Sequence, residues 1–136
     1  MSALLKTRFA PSPTGRLHLG NIRTALFNWL LARQAGGVFL LRLEDTDAMR
    51  GHEKYAAALA EDLRWLGLQW DEGPDRGGAH GPYAQSERGE IYKGHFARLE
   101  RQGLAYPCFC TEHELAVERK LAVARHLPPR YSGKCR

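Results

Sequence analysis

Between Arg8 and Asn21 the chain reads Arg-Phe-Ala-Pro-Ser-Pro-Thr-Gly-Arg-Leu-His-Leu-Gly-Asn, a stretch rich in small residues, proline and glycine. Gly20 leaves room for a nucleotide to approach the backbone, and the positive end of a helix starting near Asn21 favours a phosphate there. His18 and Asn21 carry N–H donors that can meet phosphate oxygens whose charge grows in a transition state. Alone, a His-x-Gly-x tetrapeptide reads equally as a turn glycine beside a surface histidine. A second group is acidic: Glu44, Asp45 and Asp47 follow an apolar run, with Arg42 close by. Asp45 and Asp47 flank Thr46, a capping pattern ahead of a helix, and that role is preferred to metal ligation. Arg8 and Glu44 can each pair with a neighbour, since Asp45 and Arg42 are near in sequence. The third group is Cys108-Phe109-Cys110 with Cys135, separated by 24 residues. Thiolates two positions apart can both reach one soft cation, so the cluster is either a structural zinc site with three sulfur ligands or three reduced thiols. His113 and His126 stand alone and read as solvent-facing.

These groups need elements to hold them. Thr7–Ala10 reads as a short strand that ends at Pro11, because proline has no amide hydrogen for a sheet ladder. Asn21–Arg33 carries Ile22, Leu26, Trp29 and Leu30 at helical spacing and stops at Gly36-Gly37. Val38–Leu43 is almost wholly apolar, the pattern of a strand buried on both faces in a parallel sheet. Glu53–Leu66 places Tyr55, Leu59, Leu63 and Leu66 on one stripe, and Leu68–Trp70 is short enough for a third strand. The order β-α-β-α-β is half of a doubly wound nucleotide-binding fold, whose ligands sit beyond the carboxyl ends of the strands. Asp71–Gln85 is rich in glycine and proline and reads as a long loop between subdomains. Ser86 is placed to cap a helix running to about Gln102, with Ile91, Phe96 and Leu99 inward and Gly103 as the stop. Thr111 and Glu114 have capping-box spacing for a last helix that ends before Pro128-Pro129. Trp29, Trp65 and Trp70 read as core.

Composition limits the function classes. With 136 residues, 43% apolar and 26% charged, the sequence describes a folded domain rather than a disordered chain. No apolar run is long enough to span a bilayer, no secretory signal opens the chain, and an odd cysteine count argues against a cross-linked secreted scaffold, so the expected compartment is the cytoplasm. The net charge of +5 is unevenly spread: residues 1–87 hold 10 Lys/Arg and 10 Asp/Glu, residues 88–136 hold 10 and 5. Such an excess suits either a polyanionic partner or solvated helix faces.

Taken together the motifs are far more specific. Arg8–Gly15 matches Arg-x-Ala-Pro-Ser-Pro-Thr-Gly, His18–Asn21 matches a class I "HIGH"-type motif, and Arg42-Leu43-Glu44-Asp45-Thr46-Asp47 matches Arg-x-Glu-Asp-Thr-Asp. Trp65-Leu66-Gly67, Asp71-Glu72-Gly73-Pro74, Gln85-Ser86-Glu87-Arg88 and the segment from Arg130 to Arg136 follow in order. From Arg8 to its last residue the chain thus resembles the glutamyl-tRNA synthetase family of class I aminoacyl-tRNA synthetases.

The resemblance implies an α/β fold in which residues 1–85 form the first half of a class I Rossmann-type nucleotide-binding domain with a parallel sheet. Residues 86–136 would begin a helical insert, with or without zinc, that receives the tRNA acceptor stem. It implies a glutamate-tRNA ligase that uses Mg2+ and ATP to make glutamyl-adenylate and transfers glutamate to the 3′ end of tRNA(Glu). Residue by residue, His18 and Asn21 would be catalytic; Arg8, Ala10, Ser12 and Glu44 would contact glutamate; Thr14, His18, Gly20 and Asn21 would contact ATP. Glu44 would take the substrate ammonium and Arg8 a carboxylate. Asn21 stands where many class I members carry a second histidine. The likeness also bears on the cysteines: some members supply a histidine two residues after the third cysteine, beyond Arg136, whereas in the glutamyl-Q tRNA(Asp) synthetase paralogue the tyrosine matching Tyr131 completes a zinc site with the residues matching Cys108, Cys110 and Cys135. Whole family members are expected to be monomeric and free of membranes. The second half of the fold, the Lys-Met-Ser-Lys-Ser type loop and any anticodon-binding region have no counterpart here, so the expectation is an N-terminal portion with an unpaired sheet edge and no ATP–pyrophosphate exchange by itself. The alternatives are the glutamyl-Q paralogue and a non-catalytic tRNA- or nucleotide-binding module.

Overall fold

A computed structural model of the chain describes residues 4–46 and 53–136. Its elements are β1 (Lys6–Phe9), α1 (Leu19–Gln34), β2 (Val38–Leu41), α2 (Glu53–Trp65), a 3-10 turn (Gln85–Arg88), α3 (Gly89–Arg101) and α4 (Glu112–Ala124). They fall into two compact units, Met1–Glu90 and Ile91–Arg136.

In the first unit β1 and β2 pair in parallel, with Lys6 opposite Val38 and Phe9 opposite Leu41. The crossover is set by how α1 ends. Gly36 takes φ +59°, its amide reaches the Arg33 carbonyl, and the Gly37 amide reaches the Ala32 carbonyl at 2.8 Å, the paired bonds of a Schellman stop. Gly37 then passes so close to Leu5 that a Cβ would run into the Leu5 carbonyl, while the Val38 amide bonds that same oxygen. The helix stop and the first rung of the sheet are therefore contiguous.

Phe9, Phe39 and Leu41 share one sheet face, and both helices cover it. Ala25 and Ala32 of α1 and Leu59 and Leu63 of α2 join them in the core, together with Leu68 and Trp70. The α2 stripe thus buries Leu59 and Leu63, while Leu66 stays 37% exposed. On α1 the expected stripe is shifted: the buried positions are Ala25 and Ala32, and Leu26 and Leu30 stay 39% and 46% exposed. Two alanines let the helix axis approach the sheet. Thr7 donates its hydroxyl to the Asn28 carbonyl and so ties the strand to the middle of that helix.

Three expectations are corrected. Leu68–Trp70 is not a strand; Leu68 and Trp70 serve the core, and the extension of the sheet comes later, as isolated parallel bridges between Leu40 and Glu72 and between Leu43 and Ala84. The Asp71–Gln85 segment is not a spacer between subdomains. It lies along the outer edge of β2, where the Asp71 amide bonds the Phe39 carbonyl, the Leu41 amide bonds the Glu72 carbonyl, and Leu43 bonds Tyr83 and Gln85. Asp71 anchors it further: its carboxylate accepts from the Phe39 amide and, at both oxygens, from Arg33 Nη1. Tyr83 is buried and donates to Glu72, whose other oxygen takes Lys6. Trp65 is the third correction; it is 86% exposed, whereas Trp70 is buried and Trp29 partly so.

In the second unit α3 and α4 contain no buried residue, so Ile91, Phe96 and Leu99 do not face a closed core. The α4 start is as expected: Thr111 Oγ1 accepts from the Glu114 amide and Glu114 accepts from the Thr111 amide at 2.7 Å. Gly103 at φ +67° follows α3, and His126 at φ 55° follows α4.

Two consequences are measurable. Leu63→Ala removes a fully buried side chain and should lower the unfolding free energy by about 2–5 kcal/mol, whereas Trp65→Ala should change it by less than about 0.5 kcal/mol, both read from urea titrations. Burial pushes Asp71 up, but the bonds from Arg33 and the Phe39 amide and the charges of Arg33 and Arg76 outweigh it and hold the carboxyl below its ordinary range. A depressed carboxyl stabilises the fold above the unfolded-state pKa of about 3.9 and loses that contribution as pH falls through the lower folded value. Stability should therefore decline on acidification below about pH 5, and Asp71→Asn should be less stable at neutral pH and lose less between about pH 5 and about pH 2.

Candidate active site

The loop after β1 begins where its backbone meets the end of β2. The Arg42 amide bonds the Phe9 carbonyl and the Glu44 amide bonds the Pro11 carbonyl at 2.9 Å, continuing the ladder past both strands. Pro11 and Pro13 are buried and turn the chain, while Ser12 and Thr14 face solvent and the Thr14 amide closes a short turn on the Ser12 carbonyl.

The helix after the loop starts at Leu19, two residues earlier than its periodicity suggests, because His18 is the cap. His18 Nδ1 accepts from the Gly20 amide at 3.2 Å, and Asn21 Oδ1 accepts from the His18 amide at 3.3 Å. An imidazole that accepts at Nδ1 carries its proton on Nε2 when neutral, so a donor remains on the ring; the Asn21 amide NH2 likewise remains. Gly20 has a further reason here: a Cβ would stand 3.1 Å from the His18 ring.

Arg8, Ala10, Ser12, Thr14, His18 and Asn21 line one open cleft of about 590 Å³, with Arg16 and Thr24 at its walls. Arg8 is exposed and pairs with no carboxylate among the described residues, so its guanidinium is available. Two of the expected site residues do not line this cleft. Gly20 acts behind it through the cap, and Glu44 stands outside it, with Oε1 held by Arg42 at 2.7 Å. The neighbour pairing weighed for Glu44 is thus realised, and Arg42 Nε is buried without a hydrogen-bond partner among the described residues.

Asp45 caps across the chain, at the 3-10 turn. Its two oxygens accept from the Ser86 amide at 2.8 Å and the Ser86 hydroxyl at 2.7 Å, across 41 residues. Burial raises Asp45 and these bonds more than offset it, leaving the carboxyl below its usual range. Ser86, expected as a helix cap, is instead inside the 3-10 turn and spends its hydroxyl on Asp45. No short-range sequence pattern signals this pairing. Asp47 lies outside the described residues.

In the second unit the sulfurs of Cys108, Cys110 and Cys135 lie within 4.8 Å of one another. Tyr131 completes the group: its hydroxyl is 3.5 Å from Cys108 Sγ and 3.7 Å from Cys110 Sγ, and it accepts from the Cys135 amide at 3.0 Å. The hydrogen bond with Tyr131 draws the Cys135 thiol down to about 7, whereas burial pushes Cys110 up. His113 and His126 are exposed and outside the cluster. A tetrahedral centre with zinc–sulfur bonds of about 2.3 Å needs sulfurs about 3.8 Å apart. Cys110 and Cys135 stand 3.5 Å apart, so the donor set fits such an ion. Among the described residues no helix is long and apolar enough to cross a membrane.

The chain is 63% identical over 131 residues to glutamate–tRNA ligase 2 of Alkalilimnicola ehrlichii and 61% identical over 132 residues to that of Acidithiobacillus ferrooxidans. These alignments take in 96% and 97% of the chain but only 28% and 27% of the relatives, so the chain spans a little over a quarter of their length. A crystal structure of glutamate-tRNA synthetase from Elizabethkingia anophelis superposes with a TM-score of 0.86 at 43% identity, over 92% of this chain and 25% of that one. A glutamate tRNA ligase from Elizabethkingia meningosepticum, solved in complex with its amino acid, gives 0.84, with the same identity and coverage. The family model for the catalytic domain of class I tRNA synthetases (E and Q) matches residues 4–136, and the chain belongs to that family.

Proposed function

We propose that this chain is the N-terminal part of a glutamate–tRNA ligase and carries the first half of its amino-acid and ATP site. The observation that carries the reading is the single cleft that gathers Arg8, Ala10, Ser12, Thr14, His18 and Asn21 at the carboxyl end of β1. It is supported by relatives bearing that name at 61% and 63% identity.

On this reading Arg8 receives a carboxylate of glutamate, and Ser12 and the Ala10 backbone orient the amino acid against it. Glu44, shared between Arg42 and the substrate, receives the ammonium group. Thr14, His18 and Asn21 face the phosphates of ATP, and Gly20 keeps the His18 ring in its cap. Because His18 is fixed through Nδ1, its Nε2–H is aimed without reorganisation, which is how a neutral donor stabilises charge developing on phosphate oxygens. Mg2+ would accompany the nucleotide and neutralise its phosphates. Residues 86–136 begin the insert that receives the acceptor end of tRNA(Glu), in keeping with their excess of positive charge.

Cys108, Cys110, Cys135 and Tyr131 would hold a zinc ion, which supplies a structural cross-link and no reaction step. Within the unit its role is to tie the segment 106–110 to the segment 131–135, which bracket α4.

The tests are direct. Glutamate with ATP should raise the melting temperature of the chain, and Arg8→Gln should abolish the contribution of glutamate while keeping that of ATP; equal shifts in both proteins would overturn the placement of the amino acid. Elemental analysis should find close to one zinc per chain, falling near zero in Cys110→Ser and Cys135→Ser. Tyr131→Phe should weaken zinc affinity, and unchanged affinity would remove the tyrosine from the ligand set.

A further inference from the structure

A second cleft, of about 380 Å³, opens in the unit Ile91–Arg136 and has no part in the cleft that carries the proposed function. One wall is a face of α4: Leu115, Glu118 and Arg119 stand three and four residues apart and so project together. The facing wall comes from irregular chain, with the rings of Tyr106 and Tyr131 and with Pro129 and Arg130. The volume lies in the range of small-ligand pockets.

The chemistry of the lining selects among ligands. Two aromatic rings, a leucine and a proline offer flat apolar surface. Arg119 and Arg130 are exposed, and neither makes an ion pair or side-chain hydrogen bond among the described residues. The acidic groups nearby are already committed: Lys134 pairs with Glu114 and Glu118, and Ser132 also donates to Glu118. The cleft therefore presents two guanidinium groups that pair with no carboxylate among the described residues, beside apolar side chains and the Glu118 carboxylate, which shares Lys134 with Glu114. Across residues 91–136 there are 9 Lys/Arg against 4 Asp/Glu, so the field around it is positive. A free phosphate would leave the rings unused, and an apolar ligand would leave the cations unused. Aromatic faces flanked by arginine are the means by which proteins hold single-stranded nucleic acid, with the base stacked and the phosphate paired.

We propose that this cleft holds one unpaired nucleotide of an RNA partner, its base against Tyr106, Tyr131 and Leu115 and its phosphates on Arg119 and Arg130. The inference rests on the reading of residues 86–136 as an RNA-binding insert, and it adds a site that reading does not specify.

The test is fluorescence anisotropy of a labelled single-stranded tetraribonucleotide titrated with the whole chain at about 50 and about 200 mM salt. Arg119→Gln and Arg130→Gln should each weaken binding several-fold and flatten the log–log salt dependence by about 0.7 for each phosphate no longer neutralised. Tyr106→Phe should bind like the parent, because the ring and not its hydroxyl is used, while Tyr106→Ala should weaken binding about tenfold. Should Tyr106→Ala prove unfolded by circular dichroism, methyl NMR of Leu115 in the parent gives the same information: its signal should move on adding adenosine monophosphate and stay still on adding pyrophosphate. Parental affinity in the Arg119→Gln/Arg130→Gln double variant would overturn the cleft while leaving RNA binding elsewhere on the chain. Absence of RNA binding by the folded parent would overturn both the cleft and the insert reading. Displacement of the probe by pyrophosphate as readily as by adenosine monophosphate would reduce the cleft to an anion site and overturn the nucleotide.

Discussion

The parallel register of β1 and β2 is the constraint on which the rest of the first unit depends. It runs from the Leu5 carbonyl, bonded by Val38, to the Pro11 carbonyl, bonded by Glu44. Since both strands point the same way and are locked in step, the loop after β1 and the acidic segment after β2 emerge side by side at one end of the sheet. A slip of one residue would turn Phe9, Phe39 and Leu41 away from the helices and carry Glu44 off the loop. The Gly36-Gly37 turn protects that register from the other end, because only a chain without a Cβ at position 37 passes the Leu5 carbonyl.

The same economy governs the loop itself. His18 both ends the loop and starts α1, so the residue proposed to face the nucleotide is held by the first turn of the helix on which its neighbours sit. Glu44 is fixed through its backbone by Pro11 and through its side chain by Arg42; Asp45, next along, clasps Ser86. Site and scaffold are thus tied by charge-assisted bonds from adjacent residues, which leaves Arg8, Ser12, Thr14, the Nε2–H of His18 and the amide NH2 of Asn21 with unused capacity among the described residues.

How much of this could be read from the residues depends on the range of the interaction. The helix after the loop, the apolar strand, the Gly36-Gly37 stop and the Thr111–Glu114 box were legible because each is decided within a few residues. That Arg8, Ala10, Ser12, Thr14, His18 and Asn21 line one cleft is legible for the same reason, since they follow one another along a single connection between β1 and α1. What escaped was decided across the chain. Ser86 looks like a cap until Asp45 reaches it from 41 positions away. The glycine-rich segment after Trp70 looks like a linker because its attachments, backbone bonds to β2 and the side-chain bonds of Asp71 with Arg33 and of Glu72 with Lys6, join residues far apart in sequence. On α1 the leucine spacing points to one stripe, yet close packing on a sheet favours the small side chain, and Ala25 and Ala32 are the buried positions.

The second unit depends on other forces. Residues 91–136 bury no side chain fully, and a segment of that size cannot draw much stability from apolar burial alone. Its last helix is instead held by local devices, the box at Thr111, the ion pairs of Lys134 with Glu114 and Glu118, and the Ser132–Glu118 bond. Every one of these engages α4 or its immediate flank. The chain before α4 is drawn onto the chain after it by Cys108, Cys110, Tyr131 and Cys135, whose mutual contacts are weak sulfur hydrogen bonds. A cation bound by those four would turn a weak join of the unit into its strongest. The same join brings Tyr131 and Cys108 to the edge of the second cleft, so whatever orders the sulfur cluster also sets the wall against which a base would stack.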